Sequence, residues 1–204
     1  RNSNRRKRKK KIMKIYLLRH EERYEPPLFY TNLTPKGFDK SEKLKDLLNN
    51  EKIDLIYSSP FPRVLQTLMP YCLENNMEQK VNIEYSLYET MYDNCFTKDN
   101  YKLKLGDKDK EFVLANPIYM SFITINDIKF PENNIDVKLR VNHFIKYIIN
   151  IYKNTNVNIL IASHASVLSE IEKYKPAINN KIYPQGGLML LYENCEYCCR
   201  PINF

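Results

Sequence analysis

Short, mostly apolar runs alternate along the chain with longer segments in which apolar residues recur at helical spacing. Four of these runs lie at 15–18, 53–57, 81–85 and 157–162. Runs of this kind are typical of strands that are buried on both faces. Further strand material is predicted at 182–183 and 187–192, and residues 195–200 are predicted to form an edge strand. The pattern therefore predicts a sheet of several short, buried strands.

Two amphipathic segments follow the first two strands. The first begins at Thr34 and Pro35, a capping residue followed by a proline at the first helical position, and ends at about residue 50. Its predicted buried side consists of Phe38, Leu44, Leu47 and Leu48. The second extends from about Arg63 to Asn75, so that an arginine lies close to the start of a helix, where the free N–H groups favour anions.

The longest amphipathic segment covers residues 132–153. It carries one apolar stripe, which predicts a helix packed on the core. The stripe consists of Val137, Val141, Phe144, Ile145, Ile148, Ile149 and Tyr152. His143 lies beside the stripe, and we interpret it as a structural or surface histidine. A final helix is predicted from the residues after His164 to about Tyr174.

Strand and helix alternate throughout, and the chain has no internal repeats. This alternation predicts an α/β fold, a three-layer α/β/α sandwich whose central sheet is mostly parallel and carries helices on both faces. We assign residues 13–204 to this one domain. Residues 91–131 are irregular and mixed in charge, and we interpret them as a partly helical insertion over the functional site.

Basic charge is concentrated at the N-terminus. Residues 1–11 hold eight Lys or Arg and no acid, and the rest of the chain has 24 basic and 24 acidic residues. Such a composition cannot bury apolar surface, so residues 1–12 are predicted to form a disordered basic arm. A nuclear-localisation signal, a tether for nucleic acid or an anionic surface, and a plain solvated tail are all open alternatives.

No apolar run reaches the roughly eighteen residues of a membrane span, and no apolar leader lies near the N-terminus. We therefore expect a cytoplasmic protein, with the nucleus as the alternative that the basic arm raises. The odd number of cysteines, five, favours free thiols. Cys195 and Cys198 have the spacing of metal ligands, but no second pair accompanies them, so we expect no structural zinc and no other cofactor.

Charged side chains follow the ends of the predicted strands. Arg19 and His20 follow the first strand, Arg63 the second, Glu89 the third and His164 the fourth. Ligand crevices in parallel α/β sheets lie at the carboxyl ends of strands, so we expect these residues to meet. Arginines bind phosphoryl oxygens, a histidine can attack phosphorus, and a carboxylic acid can protonate the leaving oxygen. The set predicts metal-free phosphoryl transfer, although each residue alone is consistent with a structural role.

Motifs in the same order resemble those of the histidine phosphatase superfamily, branch 1, also called phosphoglycerate mutase-like. Arg-His-Glu-Glu at 19–22 resembles the family's Arg-His-Gly-Glu signature, and Leu-Thr with Gly at 33–37 resembles its helix opening. Residues 54–67 are similar to its segment Asp-x-x-x-Ser-Ser-Pro, Arg and Gln-Thr. The resemblance extends from residue 13 to about residue 192.

The second half of the chain continues this resemblance. Leu-Tyr-Glu at 87–89 is similar to the family's acid-bearing Leu-x-Glu, and Ser-His at 163–164 resembles its second-histidine motif. Glu132, Asp136 and Arg140 reproduce the family's Glu, Asp and Arg spacing on the long helix. Any one of these matches is weak, but their common order is specific.

The resemblance implies a hydrolase in which His20 is the nucleophile and forms a phosphohistidine that water then hydrolyses. Arg19, Arg63 and His164 would bind the phosphoryl group. Glu89 would be the general acid and later the base that activates water. No metal and no cofactor would be needed, and the expected partner is a small phosphorylated substrate or a phosphoprotein.

Arg23 extends the signature to Arg-His-x-Glu-Arg, which is similar to that of the ecdysteroid phosphatase-like and tyrosine-phosphatase group. There it would add to the phosphate pocket, which favours an aryl phosphate or a phosphoprotein; sugar phosphates and nucleotides are alternatives. A mutase is less favoured. The loop after His20 is short and lacks the mutases' Asn-rich pattern, and the insertion has no Arg-Arg pair to hold a phosphoglycerate.

Two positions depart from the family pattern. Glu21 replaces the usual Gly, and Ala165 and Ser166 stand where Gly-Gly is frequent. If the backbone at residue 21 requires a positive φ, Glu21 is strained. Independently of the backbone, a carboxylate beside the pocket would repel phosphate or raise the pKa of His20. The alternative function is therefore a weak or inactive phosphatase-like interaction module that uses residues 1–11 to bind an anionic partner.

Overall fold

A six-stranded sheet forms the centre of the computed structural model, which describes residues 12–171, 185–193 and 196–202. The strands are β1 (Lys14–Arg19), β2 (Leu55–Ser58), β3 (Val81–Ile83), β4 (Asn158–Ser163), β5 (Leu188–Glu193) and β6 (Glu196–Pro201). Their order across the sheet is β3-β2-β4-β1-β5-β6. The first four strands pair in parallel, and β5 and β6 are added antiparallel at one side. The prediction of a mostly parallel sheet is confirmed.

Side chains on both faces of the sheet are buried. Along β1, Ile15 and Leu17 belong to one apolar cluster, whereas Tyr16 and Leu18 belong to the other. Successive residues of a strand point to opposite faces, so a continuous apolar run such as this one requires cover on both sides. The sheet is therefore the middle layer of the predicted three-layer sandwich.

Within the described residues, four helices form the outer layers: α1 (Pro35–Glu51), α2 (Pro62–Glu74), α3 (Asn134–Tyr152) and α4 (Ala165–Leu168). Leu44 of α1 and Leu65 of α2 belong to the cluster on one face, and Val141 of α3 and Val167 of α4 belong to the cluster on the other. These helices bury their apolar stripes against the sheet, as the sequence pattern predicts.

Capping residues set the starts of two helices. Thr34 accepts a hydrogen bond from the Gly37 N–H at 3.0 Å, as expected of a cap before Pro35. Asn133 and Asp136 form a reciprocal capping box, so α3 begins at residue 134 rather than at the predicted residue 132.

Other details of the predicted elements also differ from the structure, and β2 begins at Leu55, two residues later than predicted. Phe38 was expected on the buried side of α1 but is 43% exposed, because it lies beside Tyr24 and Tyr30 along an open groove instead of on the sheet. The third strand ends at Ile83, two residues early, since a 3₁₀ turn follows at Tyr85–Leu87. The helix after His164 ends at Leu168 within the described residues.

Some predictions concern residues outside the described ranges. These are the basic arm at 1–11, the last part of the helix expected to reach residue 174, the strand material at 182–183, and Cys195 of the edge strand. They stay predictions. Across the residues that the structure does describe, no helix has the length and apolar character needed to cross a membrane.

The insertion at 91–131 is mostly irregular and contains two short 3₁₀ turns, Lys110–Leu114 and Ile125–Asp127. Part of it follows edge strand β3: the Asn116 N–H donates to the Val81 carbonyl oxygen at 2.8 Å. Covering an edge strand in this way removes a site for unwanted strand pairing. The insertion thus covers the sheet edge, and its first residues alone reach the site described next.

Candidate active site

The carboxyl ends of three neighbouring strands meet at one edge of the sheet. Arg19 of β1 is paired in register with Ser163 of β4, and Ser58 of β2 is paired with Ala162. The residues that follow are therefore adjacent, and the His20 N–H donates to the Ser163 carbonyl oxygen at 3.1 Å. This pairing brings together His20, Ser59 and His164, which lie far apart in the sequence.

His20 has a fixed ring orientation. Its Nδ1 lies 2.7 Å from the carbonyl oxygen of Glu21, which can only accept, so Nδ1 carries the proton. Nε2 then holds the lone pair, and no hydrogen bond from the described residues occupies it. Burial, with the nearby His164 and Arg63, lowers the pKa of His20 well below its ordinary value. A neutral imidazole with a free Nε2 is the form that can act as a nucleophile.

Arg63 lies fully buried on the first turn of α2. Its Nη1 donates to the Leu28 carbonyl oxygen at 2.7 Å, and its Nη2 donates to Oε2 of Glu89 at 3.2 Å. Its guanidinium carbon lies 4.4 Å from the centre of the Phe61 ring. Burial lowers the pKa of Arg63 to about 10, with Glu89 opposing, so it remains a cation at neutral pH.

Glu89 and His164 form a buried pair. His164 Nδ1 lies 3.0 Å from Glu89 Oε2, and its Nε2 lies 2.9 Å from the Ser59 hydroxyl oxygen. Burial lowers the pKa of His164 to about 4, against the opposing effect of Glu89. Burial alone would raise the pKa of Glu89, but His164, Arg63 and Ser166 outweigh it and hold the pKa well below its ordinary value.

Arg19, His20, Arg23 and Glu89 face a common cavity of about 200 Å³. Its wall is completed by Pro27, Thr90, Tyr92, Cys95, Phe96, Ala165 and Ser166. Arg23 is oriented by a hydrogen bond to the Tyr24 carbonyl oxygen at 2.8 Å and by Glu25 at 2.9 Å. The arginines, with Arg63 behind the wall, give the cavity a positive lining that suits an anion of phosphoryl size.

The two histidines and Glu89 also bring possible metal-ligand atoms within 4.8 Å of one another. Three arginines surround the same space, however, and their charge favours an anion over a cation. The prediction that the site works without a metal stays a prediction.

Glu21 does not have the strain that its sequence position suggested, because it is not among the residues with positive φ. Its side chain is buried and does not line the cavity; it lies against Gly186, where an added Cβ would come 1.8 Å from Oε1. Burial raises the pKa of Glu21, and the pKa of His20 is lowered instead of raised. The expected strain at Glu21 and the expected rise in the pKa of His20 are therefore wrong, and repulsion of phosphate by Glu21 stays a prediction.

A buried ion pair holds the loop that carries Glu89. Arg140 donates to both carboxylate oxygens of Glu132, at 2.8 and 2.9 Å, and to the carbonyl oxygens of Ser86 at 2.8 Å and Glu89 at 3.3 Å. Glu132 also accepts from the Met91 N–H at 3.1 Å. The two residues thus fix both ends of the loop at 86–91, whereas Asp136 of the same motif caps α3.

Sequence reasoning missed several residues of the site. Ser59 contacts His164, Ser166 donates to Glu89, and Tyr92, Cys95 and Phe96 form the cavity wall. Ser59 lies within the Ser-Ser-Pro segment and Ser166 at a departure from the family pattern, so both positions carried a signal. Nothing local distinguishes the three wall residues from the rest of the insertion.

A family model described as the histidine phosphatase superfamily, branch 1, matches residues 15–175. The chain belongs to this superfamily. Membership supports a phosphatase function. Among curated proteins, none matches the chain significantly.

Solved structures with the same fold include phosphatases. An ecdysone phosphate phosphatase from Bombix mori, in complex with tungstate, has a TM-score of 0.62 at 14% identity and covers 87% of this chain and 88% of its own. A mycobacterial glucosyl-3-phosphoglycerate phosphatase with inorganic phosphate has a TM-score of 0.59 at 13% identity, covering 88% and 89%. YhfR from Bacillus stearothermophilus reaches 0.64 at 17% identity, covering 92% and 95%. At such identities the likeness shows the fold alone.

Proposed function

We propose that the protein is a metal-free phosphomonoester phosphatase that acts through a phosphohistidine at His20. The observation that carries this proposal is the orientation of the His20 ring, whose Nδ1–H is held by the Glu21 carbonyl oxygen while Nε2 is free. The two arginines of the cavity wall, Arg19 and Arg23, and the buried Arg63 would bind the phosphoryl oxygens. His164 does not line the cavity, and its ring nitrogens face Glu89 and Ser59, so its expected contact with the phosphoryl group stays a prediction.

The reaction has two steps. His20 Nε2 attacks phosphorus, the bond to the leaving oxygen breaks, and Glu89 protonates that oxygen. The arginines offset the negative charge on the phosphoryl oxygens in the transition state. In the second step Glu89 takes a proton from water, which attacks phosphorus and releases His20 and inorganic phosphate.

The test is hydrolysis of p-nitrophenyl phosphate between about pH 4 and 8 with EDTA present. We expect turnover that resists EDTA and is abolished in His20→Ala. His143→Ala is the matched control, because the third histidine is exposed on α3 and away from the site. Mass spectrometry after an alkaline quench should detect a phosphorylated peptide that contains His20. Unchanged activity of His20→Ala would overturn the mechanism.

The cavity wall supports a phosphatase over a mutase. Residues 91–96, the part of the insertion nearest the cavity, include no Lys or Arg that could hold the carboxylate of a phosphoglycerate. The arginines present are needed for one phosphoryl group. We expect phosphate release to water to be unaffected by added phosphoglycerate; transfer of the phosphoryl group to that acceptor would favour a mutase.

The same wall supports an apolar or aromatic leaving group. Pro27, Tyr92 and Phe96 offer apolar surface beside the phosphoryl site, and Arg23 completes the signature that is similar to the aryl-phosphatase group. Aryl and alkyl leaving groups differ in reactivity, so recognition of the leaving group is best tested by comparing two primary alkyl phosphates. We expect a higher kcat/KM for n-hexyl phosphate than for glycerol 3-phosphate; the reverse order would indicate a polar substrate.

The alternative of an inactive interaction module rested on Glu21 and on the basic arm. The backbone of Glu21 is unstrained and its side chain does not line the cavity, and residues 1–11 lie outside the described part of the chain. No observation now favours that alternative. Binding of an anionic partner by residues 1–11, and a cytoplasmic or nuclear location, stay predictions.

A further inference from the structure

Hydrogen-bond donors surround both carboxylate oxygens of Glu89. Oε1 accepts from the Thr90 N–H at 3.1 Å and from the Ser166 hydroxyl. Oε2 accepts from Arg63 Nη2 at 3.2 Å and lies 3.0 Å from His164 Nδ1. The Thr90 N–H and the Arg63 guanidinium can only donate, so each oxygen has at least one fixed donor.

The proton of His164 can be placed from its other neighbour. The Ser59 hydroxyl is fully buried, and His164 Nε2 at 2.9 Å is the acceptor that the described residues offer it. Ser59 therefore donates to Nε2, which leaves the ring proton on Nδ1, facing Glu89. If the Glu89 carboxyl group of the free protein were protonated, the proton would face a hydrogen-bond donor at either oxygen. This arrangement favours the ionised form of Glu89.

The charges around Glu89 reinforce this arrangement. The titratable and charged groups that face it from each packed element are Arg19, His20, Arg23, Arg63, Tyr92, Arg140 and His164. Arg19, Arg23 and Arg63 stabilise a negative charge on Glu89. Arg140 contacts the backbone carbonyl oxygen of Glu89, and its charge is paired with Glu132. Against the opposing effect of burial, His164 and Arg63, together with the hydrogen bonds from His164 and Ser166, lower the pKa of Glu89.

We propose that Glu89 is a carboxylate in the free protein and that Ser166, a positioning residue, helps to hold it in that form. The substrate therefore reacts as the phosphomonoester monoanion, which brings the proton that the leaving group needs. This inference rests on the proposed function. It differs from the general scheme, in which a carboxylic acid already protonated in the free enzyme serves as the donor.

The proton and charge balance is complete without a further reactant. When the substrate monoanion binds, its negative charge beside Glu89 raises the pKa of the carboxyl group. The phosphoryl proton then passes to Glu89, which leaves a dianionic phosphoryl group among the arginines. His20 Nε2 then forms its bond to phosphorus, the bond to the leaving oxygen breaks, and Glu89 delivers the proton to that oxygen. The products are a neutral alcohol and a phosphohistidine that keeps its Nδ1 proton, so the net charge is unchanged.

The first test is the pH profile of kcat/KM for two aryl phosphates whose second phosphoryl pKa values differ. We expect the descending limb of each profile to lie at the second pKa of the free substrate, so that the two limbs are displaced from each other. Limbs at the same pH for both substrates would place the proton on the free enzyme and overturn the proposal. The proposed function would survive that result as long as His20→Ala is inactive.

The second test reads the ionisation of Glu89 without turnover. Carboxyl ¹³C NMR of protein labelled in its glutamates, with Glu89→Gln to assign the signal, should show Glu89 ionised throughout the active pH range. Ser166→Ala should raise the titration midpoint of Glu89 by about one pH unit, because a hydrogen bond to the charged form is lost. Ser169→Ala is the control, since this serine is exposed and donates to the Ser166 carbonyl oxygen instead. A midpoint that does not move in Ser166→Ala would remove Ser166 from the proposal.

Discussion

Replacing Arg140 with methionine should destabilise the protein and loosen the loop that carries Glu89. Arg140 makes four hydrogen bonds, two to Glu132 and one each to the carbonyl oxygens of Ser86 and Glu89. Methionine has a similar length but no donor. The variant would therefore leave the Glu132 carboxylate buried with the Met91 N–H as its remaining hydrogen-bond donor among the described residues.

The size of the effect follows from burial. The Glu132 side chain is 1% exposed and that of Arg140 is 7% exposed, so solvent screens neither charge. Removing one partner of such a pair lowers the free energy of unfolding by roughly 3–5 kcal/mol, mainly because the other charge is left uncompensated. For a chain of this length each kcal/mol lowers Tm by about 2–4 °C, so we expect a decrease of roughly 6–20 °C.

Urea denaturation followed by circular dichroism would measure this difference, with Tm as a second reading. Two variants make the result specific. Lys129→Met breaks an ion pair in which the lysine is 67% exposed, and it should cost at most about 1 kcal/mol. Arg140→Met combined with Glu132→Gln removes the stranded charge and should recover most of the loss.

Phosphatase activity, measured below the unfolding temperature, should fall in Arg140→Met as well, because the Glu89 backbone loses a contact. The reasoning would be refuted if Arg140→Met were within about 1 kcal/mol of the original protein. It would also be refuted if the double variant were no more stable than the single one.

Three further predictions concern packing, pH and access to the cavity. Gly37→Ala should lower the free energy of unfolding by about 1–3 kcal/mol, since its Cβ would lie 2.1 Å from the Glu22 carbonyl oxygen, whereas Gly106→Ala has room and should cost much less in the same urea assay. Burial raises the pKa of Glu21 in the folded protein, so its contribution to stability declines as pH rises above the ordinary carboxyl pKa. Glu21→Gln should therefore be more stable than the original protein at pH 7.5 and lose this advantage towards acid pH; a pH-independent difference would contradict the shift. Alkylation of Cys95, which lines the cavity, should block hydrolysis and be slowed by vanadate, and Cys95→Ser should stay active and resist inactivation.

Much of the fold is determined locally and could be read from the sequence. The apolar run at 15–18 is buried on both faces of the sheet. Helix α1 begins after Thr34, as the capping residue followed by Pro35 predicted. Arg19, His20 and His164 come together because the carboxyl ends of parallel neighbouring strands meet at one edge. Their positions after these strands were therefore enough to predict that the three residues would lie close together.

Tertiary structure decided the contacts between segments that have no local relation. Ser166 reaches Glu89 across 77 positions, and Arg140 crosses from α3 to the Glu89 loop, neither of which periodicity can indicate. The sequence also could not predict the direction of individual side chains. Phe38 follows the helical pattern yet faces an open groove, and the side chain of Glu21 does not line the cavity. The sequence by itself determined which residues form strands and helices, because backbone hydrogen bonding and amphipathic spacing are local properties. The hydrogen-bond donors around Glu89 come from segments that are distant in the sequence, so they surround it only in the folded protein. The protonation state of Glu89 in the free protein therefore depends on tertiary packing.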